Sequence, residues 1–111
     1  MEKILDFTDK RGRNFTLSQK AWTHIRTKHS LVENPEEIKE TILNSDNEIK
    51  IESKNRTYFY KYFKNKKQTS KFLKIIVKYI KDNEQIVSAY FVRKIRWKAK
   101  WKFIMMRKPI T

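Results

Sequence analysis

The spacing of apolar residues changes partway along the chain, and the change divides it into a helical part and a strand part. Residues 1–15 form a mixed lead-in, with Gly12 inside the basic turn KRGR. Leu17, Ala21, Ile25 and His29 then recur at four-residue steps. This places them on one side of a helix that Thr16 or Ser18 can cap and that runs to about Lys28. Trp22 widens the stripe. The phrase NPEE predicts a second helix: Asn34 caps it, Pro35 suits the first turn, and Glu36 and Glu37 favour its positive end. Ile38, Thr41 and Ile42 give that helix a packing side, with Leu43 beside them, and the polar stretch NSDNE ends it.

Beyond Ile49 the period becomes that of strands. Arg56–Phe63, Phe72–Ile80 and Ile86–Ile95 are rich in β-branched and aromatic residues, with KNKKQTSK and KDNEQ as connecting turns. A fourth strand is expected around Trp97, Trp101 and the segment FIMM. The predicted fold is α+β, with N-terminal helices packed on a twisted four- to five-stranded antiparallel sheet, forming a single domain over residues 1–111.

Register decides which side chains meet. A turn centred on Asn83 sets Lys78 opposite Ser88 and Ile76 opposite Tyr90. Alternation then gathers Lys74, Lys78, Ser88 and Tyr90 on one face and Leu73, Ile75, Val77, Val87, Ala89 and Phe91 on the other. The second set is apolar and should meet the helices. The strand from Arg56 has two phases, one adding Arg56, Tyr58, Tyr60 and Tyr62 to the polar face, the other adding Thr57, Phe59, Lys61 and Phe63. The apolar side's need for Phe59 and Phe63 favours the tyrosine set, whereas one β-bulge would bring Lys61 round. Both phases remain open at this level.

Charge sharpens the picture. There are 27 Lys and Arg against 12 Asp and Glu, a net +15 in 111 residues. The basic residues are woven among strand positions rather than gathered in a tail, so the positive surface belongs to the fold. Nucleic acid is the first partner this implies, and an anionic membrane or an acidic protein the second. Cysteine is absent, which excludes disulfides, thiol nucleophiles and thiolate metal sites. With His24 and His29 the only imidazoles and no spaced carboxylate cluster beside them, neither a metal nor a cofactor is expected. No apolar run reaches the length of a membrane span, and the start MEKILDFTDK lacks a signal-peptide core, so a cytoplasmic protein with no membrane partner is expected.

His29 ends the first helix, where it can bond a terminal carbonyl or serve as a general acid or base. His24, five residues earlier, does not share its helix face. Lys78 can hold a phosphate, Ser88 can donate to a phosphate oxygen, and Tyr90 can stack on a base or bond the scissile phosphate. Together they suit RNA cleavage by the substrate's own 2′-hydroxyl, which requires neither a protein nucleophile nor a metal. The C-terminal stretch carries eight basic residues between Arg93 and Lys108. Trp97, Ala99, Trp101 and Phe103 alternate there with lysines, as an outer strand with an exposed cationic side would. RNA contacts are accordingly expected from Arg56, Tyr58, Tyr60, Lys74, Arg93, Lys94, Arg96 and Lys98.

The order AWTHIRTKH, ENPEEIKETILNSDNEI, RTYFYKYF, FLKIIVKYI and IVSAYFVRKI resembles small domains of the barnase/EndoU/colicin/RelE-like nuclease superfamily, in its phage- and toxin-associated branch. The resemblance covers roughly residues 16–97. It implies a metal-independent endoribonuclease with a site at His29, Lys61 or Arg56, Lys78, Ser88 and Tyr90. SAY at 88–90 stands where related domains often carry TAY. The Tyr60–Lys61 pair falls on that branch's Tyr-Arg/Lys position, which argues for the bulged phase. A toxin of this kind would be neutralised by an acidic inhibitor or antitoxin covering the basic face. The alternatives are a noncatalytic RNA- or DNA-binding module and a basic protein-interaction domain.

Overall fold

Two helices cover one face of a single six-stranded sheet in the computed structural model, which describes residues 2–95. In chain order the elements are β1 (Lys3–Thr8), β2 (Asn14–Ser18), α1 (Gln19–Lys28), α2 (Pro35–Leu43), β3 (Asn47–Ile51), β4 (Arg56–Tyr62), β5 (Phe72–Ile80) and β6 (Asn83–Val92). The strand order is β1-β2-β6-β5-β4-β3. β2 runs parallel to β6 and every other neighbouring pair is antiparallel.

Local chemistry sets the helix boundaries. Ser18 accepts from the Ala21 backbone N–H at 3.1 Å and starts α1. Asn34 accepts from Glu37 N–H at 3.3 Å and starts α2, with Pro35 in its first turn. Their apolar sides supply Ile25, Ile38 and Ile42 to a core shared with Phe15, Leu17, Phe59, Leu73, Ile75, Val77, Ile86 and Ala89. By strand alternation, Asn47, Ile49, Arg56, Tyr58, Tyr60, Lys74, Ile76, Lys78, Ser88 and Tyr90 occupy the opposite face.

The sheet is strongly curled. Three strands separate β2 from β3, yet Arg13, just ahead of β2, reaches Glu48 of β3 at 2.6 Å. Phe15 of β2 likewise meets Phe59 of β4 edge-on, with centroids 5.7 Å apart. Arg13 also pairs with Asp9 at 2.7 Å, and Asp9 accepts the backbone N–H groups of Arg11 and Arg13. The turn around Gly12, whose φ is +81°, thus becomes a fixed corner.

This architecture corrects the expected one. The helices are not N-terminal, since a β-hairpin precedes them, and the sheet is mixed and six-stranded rather than antiparallel with four or five strands. The hairpin reads as a lead-in because a register shift between Lys3 and Leu5 breaks the alternation of β1. β2 is buried at Phe15, Thr16 and Leu17 in succession and shows no alternation either. β3 hides in the polar exit of α2. The predicted strand around Trp97, Trp101 and FIMM lies outside the described residues, as do Arg96 and Lys98. Among the described residues, no helix is long and apolar enough to cross a membrane.

Candidate active site

β6 begins three residues earlier than the sequence suggests because its turn is tight. Ile80 pairs with Asn83, and the two residues between, Lys81 and Asp82, both have positive φ, 51° and 64°. That is the backbone sense which matches strand twist in two-residue hairpins. The Tyr79 hydroxyl bonds Asp82 at 3.1 Å and fixes the tip. A bulge then falls after Ile76: Val77 faces Ile86, Ile76 faces Ser88, and Val87 is the extra residue, 37% exposed. The expected Lys78–Ser88 and Ile76–Tyr90 pairs are therefore replaced. Lys78 lies opposite Gln85, and Tyr90 lies opposite Lys74. Val87 leaves the apolar face and Ile86 takes its place.

β4 pairs with both neighbours without a bulge. Arg56, Tyr58 and Tyr60 face the same side as Lys74 and Lys78, whereas Lys61 pairs with Leu73 on the helix side. The bulged phase is thus corrected. Lys61 sits over the Phe63 ring at 5.8 Å and lines a depression with Glu33, Glu37 and Glu40 of the α2 region.

These registers lay Tyr60, Lys74 and Tyr90 in one row across β4, β5 and β6. Tyr58, Ile76 and Ser88 form the next row, and Arg56, Lys78 and Gln85 a third. The Lys74 Nζ lies 4.3 Å from the Tyr58 ring centre, 5.5 Å from Tyr90 and 5.8 Å from Tyr60. Three electron-rich faces therefore hold the ammonium at the middle of the sheet. Lys78, four residues along β5, is displaced by about 13 Å of strand.

His29 approaches the row from the other side of β6. As the residue closing α1, it donates its backbone N–H to Ile25 O at 2.7 Å and accepts from Val32 N–H at 3.0 Å. Arg26 bonds the Ser30 and Val32 carbonyls at 2.9 and 2.6 Å, so the turn carrying His29 is braced from inside the helix. The His29 and Tyr90 rings are 5.0 Å apart at 33°, and His24 flanks His29 at 6.2 Å.

Environment sets the charge states. Burial, with His24 and Lys28 nearby, pulls the His29 pKa below its ordinary value of 6.5, leaving a neutral imidazole at pH 7. Burial pushes the Tyr90 phenol above 10, and burial with Tyr90 and Tyr58 nearby raises Tyr60 further, so both keep their protons. Burial draws the Lys74 ammonium down from its usual range. The row thus unites a proton acceptor, a proton donor and a half-desolvated cation.

Of the predicted residues, His29, Tyr90, Lys74, Tyr58 and Tyr60 come together. Ser88 lies one row away, Lys78 and Arg56 two rows away, and Lys61 on the far face. Arg93 and Lys94 follow β6 and border a depression with Tyr60, Ser70, Lys74 and Val92. The centrality of Lys74 escaped sequence reading because it depends on the bulge. Ser70 was hidden in a turn. Among the described residues, no group of three or more His, Asp and Glu is placed to hold a metal ion. No match to this chain was found among family models, curated proteins or solved structures.

Proposed function

We infer that the face bearing Tyr60, Lys74 and Tyr90 binds and cleaves RNA without a metal, through attack by the substrate's 2′-hydroxyl. The observation that carries this reading is the ring contact of His29 with Tyr90, directly across the strand pair from Lys74. The sequence resemblance to metal-independent nucleases and the net charge of +15 support it.

In this reaction His29 accepts the 2′-hydroxyl proton as the 2′-oxygen attacks phosphorus. The bond from phosphorus to the 5′-oxygen breaks, and that oxygen takes the Tyr90 proton. Lys74 stabilises the charge that builds on the non-bridging oxygens. The products are a 2′,3′-cyclic phosphate and a 5′-hydroxyl. Protonated His29, in contact with the Tyr90 phenolate, can return the proton and restore both groups. Tyr58 offers a stacking surface for a neighbouring base. End-labelled RNA incubated with the purified protein in EDTA should give discrete products with cyclic-phosphate ends. Intact RNA retained at low salt and released at high salt would leave a binding module instead.

The sign of the pH dependence follows from the two shifts. A base with a lowered pKa is active above it, and an acid with a raised pKa is active below it. Cleavage should rise with pH through a midpoint below 6.5 and then stay level until above pH 10, where Tyr90 ionises. A profile of kcat/KM against pH measures this. A fall between pH 6 and 8 would make His29 the acid and reverse the assignment.

The same geometry separates two lysines. Lys74→Ala should lower kcat by about 10²-fold or more, because it removes charge at the developing phosphorane. Lys61→Ala, on the other face, should leave cleavage unchanged. Steady-state rates of both variants on one RNA decide the matter, and equal losses would contradict the observed register.

A further inference from the structure

We propose that a pocket at the end of the curled sheet, between the β1–β2 turn and strands β3, β4 and β6, binds a small zwitterion of the α-amino-acid class. Arg11 and Arg13 reach it from the turn, Glu48 and Lys50 from β3, Thr57 from β4 and Glu84 from β6. Thr57 is three residues from Tyr60 along β4 and points to the other face of the sheet, so the pocket stands apart from the RNA reading. Its volume is about 180 Å³. At about 30 Å³ per water that is room for roughly six waters, which suits a ligand of roughly six to ten non-hydrogen atoms.

The charges around the pocket decide what fits. Arg13 is engaged by Asp9 at 2.7 Å and by Glu48 at 2.6 Å, and Glu48 is matched by it in return. Three other charges are under-matched. Glu84 is half-buried and, among the described residues, its carboxylate makes no hydrogen bond or ion pair. Burial raises that carboxyl above its ordinary value of 4.5 against the pull of Arg13 and Lys50, and Glu48 and Asp9 add to the rise. Arg11 meets Glu48 only at 3.5 Å and Lys50 meets Glu52 only at 3.7 Å, and both cations are about half exposed. An anion alone would gain Arg11 and Lys50 but face Glu84 and Glu48. A cation alone would gain Glu84 but face Arg11, Arg13 and Lys50. A molecule carrying an ammonium and a carboxylate a few atoms apart satisfies both sides. Its ammonium donates to Glu84 and to the Thr57 hydroxyl, and its carboxylate accepts from the Arg11 fork and from Lys50. Glu84 gains most from such a partner, because burial has already removed part of its water.

The test follows the backbone amide NMR shifts of the full chain during titration with three molecules of one size. These are L-serine, L-serinamide, which lacks the carboxylate, and glycerate, which lacks the ammonium. Serine should move the amides of Lys50, Thr57 and Glu84 and leave those of Lys74 and Tyr90 in place. It should bind at least about tenfold more tightly than either analogue, the scale of one charged hydrogen bond. Glu84→Gln should weaken serine by about tenfold and leave glycerate no weaker. Arg11→Gln should weaken serine and spare serinamide. Both variants keep the Arg13 bonds to Asp9 and Glu48, and an unfolding midpoint at or above that of wild type shows that the fold persists. Equal affinity for serine and glycerate would make the pocket an anion site and overturn the proposal. Equal affinity for serine and serinamide would make it a cation site, with the same consequence. Shifts confined to the opposite face, or none at millimolar serine, would also sink it.

Discussion

Replacing His29 with Gln should lower RNA cleavage by about 10²- to 10⁴-fold while leaving RNA binding nearly intact, since general base catalysis contributes on that scale. Glutamine keeps a polar side chain of similar reach but cannot take up a proton. The backbone bonds that shape this corner, His29 N–H to Ile25 and Val32 N–H to His29, do not involve the imidazole. The Arg26 brace on Ser30 and Val32 also remains. In the proposed reading affinity comes from elsewhere, namely Lys74 between its tyrosines and the cations Arg93 and Lys94. Tyr90→Phe should produce a comparable fall, because it deletes the proton for the leaving oxygen yet keeps the ring against His29. Single-turnover rates on end-labelled RNA in EDTA, beside filter binding of the same RNA, separate the two quantities. Joint loss of cutting and binding would give His29 a structural role. Undiminished cutting would remove it from the reaction. In the double variant the losses should fall well short of multiplying, because the two groups act on one proton circuit.

The parts of the fold governed by nearby residues are visible in the sequence, and the parts governed by distant pairing are not. NPEE announces α2 because the cap, the proline and the acidic first turn lie within four residues. β5 spans Phe72–Ile80, the range its composition predicts, and alternates buried and half-buried positions from Leu73 to Lys78. β1, β2 and β3 lack that rhythm. β1 carries a register shift, β2 is buried at three successive residues, and β3 holds a buried Glu48 whose partner Arg13 lies 35 residues earlier. The candidate site shows the same division. His29 is marked by its place at the end of α1, and Tyr58 and Tyr60 by the apolar requirement of Phe59. Lys74 comes opposite Tyr90 only because a two-residue turn and one bulge together set the β5–β6 register. Neither carries a glycine to announce it, since Lys81 and Asp82 adopt positive φ with side chains in place.

Cutting the link between Arg13 and Glu48 should destabilise the protein by about 3–5 kcal/mol, the usual cost of leaving one partner of a buried pair behind. The Glu48 side chain is 3% exposed and that of Asp9 1%, while Arg13 bonds Glu48 at 2.6 Å and Asp9 at 2.7 Å. Arg11 also meets Glu48, at 3.5 Å, but is 50% exposed and supplies only a partial substitute. Arg13→Met is the informative change. It preserves apolar bulk over Phe15 and Phe59, whose ring centres lie 5.5 and 5.6 Å from the guanidinium carbon, and removes only charge and donors. With a urea dependence of about 1–3 kcal/mol per molar, the unfolding midpoint should drop by at least about 1 M. Arg13→Met with Glu48→Leu should recover part of the loss, because one stranded carboxylate is gone while Asp9 is left with its backbone N–H partners alone. Acid gives a second readout. Although burial opposes it, the Arg13 bonds hold the Asp9 pKa below 3.8, so the stabilisation is complete above that value and fades as pH falls through the lowered one. The gap between wild type and Arg13→Met should therefore narrow below pH 3.8. A midpoint indifferent to Arg13→Met would mean that packing of Phe15 on Phe59, not the ion pair, holds the curled ends of the sheet together.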